Sequence, residues 1–331
     1  MTGASSNPCS RAWCICAIFC VPLLGLHSAY AHNSPVNKHS ALIVDGRITL
    51  AGSPVGALAM PAMGFGTCCR KSARGPALIS STLEYLRQGG RLIDTAQMYK
   101  NHRDLRIALQ RSGVPRGQIW LTSKVNTIKG GLGRQEVGTQ VKLILEELGV
   151  TYLDLMLLHH AKNNSPSDRI EQFKGLLDAK ALGLVRHVGV SNFNRDQLEA
   201  LRVATGVLPA VNQIEYHPYV AQETHDLVRW CQEQGIAVTA YGSLGSSSTG
   251  SKAGTGVAAV ATRYGVSSAA VLLRWSLNKG CAVIPGATSA THIYENLHLK
   301  PFELTPEDEE SIRGRPAPKS WRMWNNMAKD A

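Results

Sequence analysis

The segment RLIDTAQMYKNHRDL, residues 91–105, runs an apolar strand directly into a charged side chain. Leu92 and Ile93 are typical of the end of a buried strand, where the carboxylate of Asp94 requires a partner. Tyr99 follows five residues later, at the point where the strand should give way to a loop. The segment therefore predicts a strand that brings a carboxylate and a phenol to one edge of a sheet.

Apolar runs of this kind occur eight times, and amphipathic stretches such as EVGTQVKLILEELG separate them. The eight runs are AMGFGT (62–67), RLIDTA (91–96), IWLTSKV (119–125), YLDLMLLH (152–159), VRHVGVSN (185–192), AVNQIEYH (210–217), AVTAYGSL (237–244) and AVIPGAT (282–288). Several intervening stretches end in Gly after a basic or polar turn, as helices commonly do. Because the strand-like runs are apolar on both faces, the alternation predicts a parallel sheet closed into a (β/α)8 TIM barrel.

An open, doubly wound parallel sheet is the alternative fold for such an alternation. The glycine motif that often opens its first helix is incomplete here, since Gly64-Phe65-Gly66 is followed by Thr67-Cys68-Cys69. Before the first run, ALIVDGRITL (41–50) places two short apolar runs around Asp45-Gly46, which predicts a β-hairpin. We therefore expect residues 41–315 to form one α/β domain, a barrel with an N-terminal β-hairpin.

The first 31 residues differ in composition from the rest of the chain. Arg11 is their only charged side chain, residues 12–26 are apolar, and Ala29-Tyr30-Ala31 forms an A-x-A sequence. The apolar run is shorter than the about 20 residues that span a bilayer, but it suits a signal peptide. We therefore expect residues 1–31 to be a signal peptide that directs the chain to the secretory pathway, with no membrane span after its removal. A misassigned start or an uncleaved anchor is the alternative, and a cytoplasmic location remains open. Residues 32–40 then form a linker.

Composition limits the partners of the chain. Its 331 residues are 44% hydrophobic, which suffices for a core, and the net charge of +11 suits anionic partners such as nucleic acid, acidic lipid or a phosphorylated cofactor. The basic residues are dispersed without aromatic interleaving, so a solvated basic surface is favoured over a nucleic-acid site. We expect no nucleic-acid partner, and the oligomeric state cannot be read from the sequence.

The cysteines outside the first 31 residues show no metal-ligand spacing. They are Cys68, Cys69, Cys231 and Cys281. Adjacent cysteines bridge each other only with strain, so we expect all four to serve in packing. No metal site is predicted.

Polar residues end most of the predicted strands, at the edge where the sites of TIM barrels gather. They are Asp94 and Tyr99 after the second strand, Lys124 at the third, His159 at the fourth, Ser191 and Asn192 at the fifth, Gln213 and Tyr216 at the sixth, and Ser243 at the seventh. One such end would mean little, whereas six predict a shared site.

Four of these side chains suit the protonation of a carbonyl oxygen. Tyrosine, with an ordinary pKa near 10, is a poor acid at neutral pH, but a neighbouring ammonium favours its anion. We therefore expect Lys124 to lower the pKa of Tyr99 and Asp94 to pair with Lys124. A neutral His159 would hold the carbonyl oxygen against the phenol. An ordinary buried polar cluster is the alternative.

Protonation of a carbonyl oxygen requires a nucleophile for the carbon. No Ser or Cys has a nucleophile setting and no carboxylate pair is placed to activate water, so we expect a hydride carried by a cofactor. VGVSNF and NQIEYH carry groups suited to a carboxamide, with Tyr216 as a stacking face for a flat ring. YGSLGSSSTG (241–250) is a Gly/Ser loop suited to a pyrophosphate.

Seven sequence blocks, in order over nearly all of residues 41–310, resemble the aldo-keto reductases. They are MPAMGFGT, LIDTAQMYKN, LTSKV, YLDLMLLHH, VRHVGVSNF, VNQIEYHP and VIPGATSATHIYENL. The resemblance implies a (β/α)8 barrel with NADPH across its mouth and the reduction of aldehydes or ketones to alcohols. It implies that Asp94, Tyr99, Lys124 and His159 form the catalytic tetrad, with Tyr99 as the proton donor.

The resemblance also implies cofactor contacts. They are Gly66 and Thr67 in the first block, Ser191, Asn192 and Gln213 on the carboxamide, Tyr216 on the ring, Ser243 and Leu244 at the pyrophosphate, and Glu295 and Asn296 at the adenine. The chain departs from the family pattern in three places. Gly286 and His292 replace two cations of the 2′-phosphate site, so NADH is a possible cofactor beside NADPH. His160 replaces a Trp of the substrate pocket, and Asn101-His102 replaces Asn-Glu.

A second function remains open at this stage. Barrels of this family also resemble the β subunits of potassium channels, so a cofactor-binding regulatory or interaction subunit is the alternative to an enzyme. In the C-terminal tail, residues 316–331, Trp321 and Trp324 suit either a cap over the substrate pocket or packing against the barrel wall.

Overall fold

The computed structural model describes residues 43–50, 59–127, 131–245 and 255–313. Two sheets occur within these ranges. The first is antiparallel and consists of β1 (Ile43–Val44), β2 (Arg47–Ile48) and β3 (Met60–Pro61). The second has eight parallel strands in chain order: β4 (Phe65–Gly66), β5 (Leu92–Asp94), β6 (Trp120–Val125), β7 (Leu153–Leu158), β8 (Val185–Ser191), β9 (Val211–Glu215), β10 (Ala237–Tyr241) and β11 (Ala282–Val283).

Hydrogen bonds join the two edges of the parallel sheet. The amide of Gly64 donates to the carbonyl of Val283 at 2.8 Å, and the amide of Gly66 donates to that of Pro285 at 3.1 Å. A glycine is needed at this seam, because a Cβ on Gly66 would overlap the carbonyl oxygen of Ile284. The predicted barrel is therefore confirmed, and each of the eight predicted runs contains a strand.

Helices follow the strands and cover the outside of the sheet. Those described are α1 (Gly75–Arg87), α2 (His102–Ser112), α3 (Arg134–Leu148), α4 (Pro166–Ala181), α5 (Arg195–Thr205), α6 (Gln222–Glu233), α7 (Thr255–Tyr264), α8 (Ser268–Asn278), α9 (Ala290–Leu297) and α10 (Pro306–Arg313). Local sequence sets their ends. Ser165 and Asp168 form a capping box at the start of α4, and α5 ends at Gly206, which adopts a left-handed φ of 72°.

The hydrophobic core has two parts, one on each face of the barrel sheet. The larger part lies between the helices and the outer face of the strands. The smaller part fills the interior, where Leu92, Trp120 and Leu155 pack with Ile48 and Leu50 of the N-terminal hairpin region. The predicted hairpin is confirmed, with Asp45 and Gly46 in left-handed conformations at its turn.

Several predictions lie outside the described residues. They are the signal peptide (1–31), the linker (32–40), the tail (316–331) with Trp321 and Trp324, and residues 246–250 of the Gly/Ser loop. Within the described ranges, no single helix is long and apolar enough to span a membrane. The pair Gly256–Tyr264 and Ser268–Asn278 reaches that length and hydropathy only together, across a bend of 93°.

Candidate active site

A cavity of about 800 Å³ opens at the carboxyl ends of the barrel strands. Its volume is within the range of sites for small molecules and cofactors. The predicted site residues that line it are Gly66, Thr67, Asp94, Tyr99, His159, Ser191, Asn192, Gln213, Ser243 and Leu244. The structure thus brings together polar residues from six strands or the loops that follow them.

Asp94 and Lys124 form a buried ion pair at the base of this cavity. The Nζ atom of Lys124 donates to Oδ1 of Asp94 at 2.6 Å and to the carbonyl oxygen of Thr95 at 2.9 Å. The other carboxylate oxygen, Oδ2, accepts from Nε2 of Gln213 at 2.8 Å. Both oxygens of Asp94 are therefore hydrogen-bonded, as a carboxylate removed from water requires.

Tyr99 ends a short 3-10 turn (Gln97–Tyr99) after β5, and its ring keeps some exposure towards the cavity. The Nζ atom of Lys124 lies 5.3 Å from the centre of this ring. Burial raises the pKa of Tyr99 well above its ordinary value, and the charge of Asp94 raises it further. The predicted lowering of this pKa by Lys124 is wrong, because desolvation disfavours the phenolate. At neutral pH the phenol therefore carries the proton that a donor needs.

Two stacked, neutral imidazoles line the cavity, and that of His159 lies beside the phenol. The ring of His159 meets that of Tyr99 edge-on, with centroids 5.7 Å apart, and stacks on the ring of His160 at 4.3 Å. Burial lowers the pKa of His159 well below its ordinary value and that of His160 to about 4, with Lys124 as a further cause in both. The Nδ1 atoms of both residues are buried without a hydrogen-bond partner within the described protein. A neutral imidazole can donate a hydrogen bond to a carbonyl oxygen, and it places no second positive charge beside Lys124.

A hydrogen-bond network links the ends of β8, β9 and β10 at the cavity. The hydroxyl of Ser191 donates to the carbonyl of Gln213 at 2.8 Å, and Nδ2 of Asn192 donates to that of His159 at 3.1 Å. The hydroxyl of Tyr241 donates to Oδ1 of Asn192 at 2.8 Å. Asn192 has a left-handed φ of 64°, which turns the chain out of the strand towards the cavity. The network fixes the amide groups that the sequence assigned to a carboxamide.

Tyr216, predicted to stack on a cofactor ring, does not line the cavity. It is 3% exposed, its ring lies 5.1 Å from that of Trp275, and its hydroxyl is 3.2 Å from Nδ1 of His225. Strand β9 ends one residue earlier, so the alternation of side chains along the strand no longer sets the direction of Tyr216. Tyr241, at the end of β10, presents an aromatic ring to the cavity instead. Its position after the apolar run AVTA was the signal that the sequence analysis missed.

Glu295 and Asn296, predicted at an adenine, lie on α9 outside the residues that line the cavity. Glu295 is exposed. His292 is exposed on the same helix, and its amide donates to the capping hydroxyl of Ser289 at 3.1 Å. The structure therefore places α9 near the protein surface without bringing these side chains into the site.

The loop after β4 contributes residues that the sequence analysis did not assign to the site. Cys68 and Cys69 line the cavity, and Cys69 is exposed, so the expectation that these two cysteines serve in packing is wrong. A left-handed φ of 69° at Cys69 turns the chain at this point. Arg70, Lys71 and Arg74 follow and add three cations to the cavity wall. By contrast, Cys231 and Cys281 are buried, as expected for packing.

The Asn101-His102 pair supports the site from behind. Nδ2 of Asn101 donates to the carbonyls of Thr67 and Ala73, at 3.0 and 3.1 Å. The ring of His102 lies between Oε2 of Glu147 at 2.8 Å and the hydroxyl of Ser123, at 3.1 Å, next to Lys124 in β6. Asn101 thus fixes the loop after β4, and His102 connects α2 to β6. Within the described ranges, no group of three or more His, Cys, Asp or Glu side chains is arranged to hold a metal ion.

Comparisons with known proteins agree on one family. Residues 79–314 match the sequence model of the aldo/keto reductase family. An aldo-keto reductase of Mycolicibacterium vanbaalenii is 37% identical over 269 residues, which cover 79% of this chain and 93% of the relative. Methylglyoxal reductase DkgB of Escherichia coli O157:H7 is 33% identical over 256 residues, covering 77% of this chain and 92% of the relative.

Solved structures give the same result. An aldo/keto reductase from Brucella melitensis aligns with a TM-score of 0.69 at 29% identity, covering 81% of this chain and 98% of its own. The aldo-keto reductase of Bombyx mori in complex with NADP aligns with a TM-score of 0.70 at 29% identity, covering 81% and 91%. An aldo-keto reductase complexed with NADPH aligns with a TM-score of 0.74 at 25% identity, covering 86% and 93%.

Proposed function

The chain belongs to the aldo/keto reductase family, and we propose that Tyr99, Lys124, Asp94 and His159 form the catalytic tetrad of its reaction. The protein is an oxidoreductase that reduces aldehydes or ketones to alcohols with a nicotinamide cofactor. The observation that carries the proposed tetrad is the buried Asp94–Lys124 ion pair, which lies beside the Tyr99 ring at the edge of one cavity.

Each of the four side chains has a separate role in the protonation of the carbonyl oxygen. When bound, the nicotinamide supplies the hydride that reaches the carbonyl carbon. The hydroxyl of Tyr99 donates its proton to the carbonyl oxygen as negative charge develops there, and solvent later returns a proton to the phenolate. The ammonium of Lys124 stabilises that phenolate, and Asp94 keeps Lys124 charged although it is 1% exposed. Neutral His159 orients the carbonyl oxygen through a hydrogen bond.

The cavity fits a nicotinamide dinucleotide in two respects. Ser191, Asn192 and Gln213 place hydroxyl and amide groups along one wall, and the ring of Tyr241 lies at the same wall. Ser243 and Leu244 line the cavity, where their backbone amides would hold a pyrophosphate.

The balance between NADPH and NADH follows from two substitutions. Gly286 and His292 stand where the family pattern has cations, and His292 is exposed on α9 away from the cavity lining. A phosphate that loses ion pairs loses part of its advantage in binding. The chain therefore prefers NADPH less strongly than the family pattern implies, and NADH is accepted as well.

The test is a direct assay with purified protein. NADPH or NADH is mixed with 4-nitrobenzaldehyde, and the absorbance of the reduced nicotinamide is followed. A tetrad-dependent loss of absorbance supports the proposal, whereas no loss with either cofactor contradicts it. No observation on the described residues or the relatives favours the alternative of a cofactor-binding interaction subunit.

A further inference from the structure

Arg70 and Gly286 are direct neighbours in the cavity wall. Both residues line the cavity, Arg70 from the loop after β4 and Gly286 from the segment after β11. A Cβ built on Gly286 would overlap Nη1 of Arg70, with the central carbon of the guanidinium directly behind it. The guanidinium therefore fills the space into which a side chain at position 286 would grow.

The guanidinium of Arg70 has few partners within the described protein. Its one hydrogen bond runs from Nη2 to the carbonyl of Gly66, at 3.3 Å. Its Nε atom is buried and has no partner among the described residues, and none of the ion pairs found there includes Arg70. Burial lowers the pKa of Arg70 from its ordinary value. An arginine held for structural reasons would make use of more of its five donors.

These observations indicate that the guanidinium of Arg70 is positioned to bind an anion. Lys71 and Arg74 are exposed on the same wall, so they add to the positive potential around Arg70. The guanidinium is planar and can bind two phosphate oxygens at once. The nicotinamide dinucleotide, which carries phosphates, is the anion that this cavity receives under the proposed function.

We propose that Arg70 binds a phosphate group of the dinucleotide and replaces the cation that the family pattern places at position 286. The inference rests on the proposed function for the identity of the ligand. Gly286 then has a defined role, since any side chain there would displace the guanidinium. In this arrangement the positive charge comes from the loop after β4 and not from the segment after β11. The two segments are neighbours, because hydrogen bonds join β4 and β11 where the barrel closes.

The first test measures cofactor binding without turnover. NADPH and NADH are titrated into the wild type, Arg70→Ala and Arg103→Ala, and the quenching of tryptophan fluorescence gives Kd. We expect Arg70→Ala to raise the Kd for NADPH roughly 10- to 100-fold, the range for a lost hydrogen bond to a charged group. Arg103 is exposed on α2 outside the cavity lining, so Arg103→Ala controls for the change in net charge and should stay within about twofold.

The second test removes the cation at position 70 and introduces one at position 286. In Arg70→Ala/Gly286→Lys the space left by the guanidinium receives a lysine, and we expect most of the lost affinity to return. Gly286→Ala alone should weaken binding, because its Cβ displaces Arg70, whereas Gly286→Ala added to Arg70→Ala should change little. Circular dichroism and Tm show that each variant is folded. Because the second test includes Gly286→Ala, the inference does not depend on the folding of Arg70→Ala.

The results separate the possible outcomes. A loss confined to NADPH assigns Arg70 to the 2′-phosphate and supports the inference, whereas an equal loss for NADH assigns Arg70 to the pyrophosphate and overturns its replacement of the cation at position 286. Unchanged Kd values for both cofactors in folded Arg70→Ala and Gly286→Ala would overturn the inference. A wild type that binds neither cofactor would instead refute the proposed function.

Discussion

The Nζ atom of Lys124 lies 2.6 Å from Oδ1 of Asp94, and both side chains are almost fully buried. Burial alone lowers the pKa of Lys124, whereas the charge of Asp94 and its hydrogen bond raise it. The ammonium form therefore depends on the carboxylate. The proposed reaction depends in turn on that ammonium, because it stabilises the phenolate left when Tyr99 gives up its proton.

Asp94→Asn tests the dependence of Lys124 on its counter-ion. The substitution keeps the size of the side chain but leaves a buried ammonium unpaired, which costs about 3–5 kcal/mol of stability. We expect the urea midpoint to fall and kcat to drop by about a hundredfold or more. The double variant Asp94→Asn/Lys124→Met removes both charges, and it should recover stability without recovering kcat. Wild-type activity in Asp94→Asn would show that the ion pair has no role in turnover.

His160 should make stability depend on pH in the acid range. Its pKa is about 4 in the folded protein, lowered mainly by burial and also by Lys124 and Lys162, against 6.5 when unfolded. The unfolded chain therefore binds more protons between these values, so stability is fully present above pH 6.5 and falls as pH drops towards 4. The loss is on the order of 3 kcal/mol.

Urea unfolding of the wild type and His160→Asn, followed from pH 7 to pH 4, measures this effect. The variant should show a flatter decline because it removes one titrating group. His159 remains in both proteins, but its pKa is lowered in part by His160, so the difference between the curves reports His160 together with its effect on His159. Parallel curves would contradict the assignment.

Substitutions of Tyr241 and Tyr216 separate a role in cofactor binding from a role in core packing. Tyr241 lines the cavity, so Tyr241→Ala should raise the Kd for the cofactor roughly tenfold, with a smaller effect on folding. Tyr216 packs against Trp275, so Tyr216→Ala should cost about 3–5 kcal/mol of stability and leave the Kd of the folded protein unchanged. Fluorescence titration and urea unfolding of both variants provide the comparison. The reverse pattern would restore the original prediction for Tyr216.

The ratio of kcat/KM for NADPH to that for NADH tests the cofactor preference. Position 286 carries no cation and His292 is exposed, so Arg70 is the nearest replacement found among the described residues. We expect a ratio well below about a thousandfold, since fewer ion pairs discriminate the 2′-phosphate. A ratio of a thousandfold or more would mean that the cations remaining in the cavity suffice for full discrimination. The ratio should fall further in Arg70→Ala if this side chain binds the 2′-phosphate.

Sequence reasoning succeeded where strand geometry sets the outcome. Asp94 pairs with Thr122 in the register of β5 and β6, and Lys124 lies two residues beyond Thr122 on the same face. Two polar residues at the ends of adjacent parallel strands therefore had to meet. The eight strands were also predictable, because each is a short apolar run between amphipathic stretches.

Residues beyond the strand ends were harder to predict. The direction of Tyr216 depends on how the chain turns after β9, and the path of Arg70 across the barrel seam depends on a contact between the first and last strands. Neither side-chain orientation follows from a local sequence pattern. The direction of the pKa shift of Tyr99 was mispredicted for another reason. It is a sum of opposing effects, and burial, which needs the full structure, outweighs a neighbouring charge.

Tyr99→Phe gives the most direct test of the proposed proton donor. The substitution removes the hydroxyl and keeps the ring, so the cavity wall beside His159 is retained. With a saturating carbonyl substrate and NADPH, we predict a fall in kcat on the order of 10³-fold or more, with the Kd for NADPH within about twofold of wild type. Turnover close to the wild-type rate would contradict the account, because another group would then have to protonate the carbonyl oxygen.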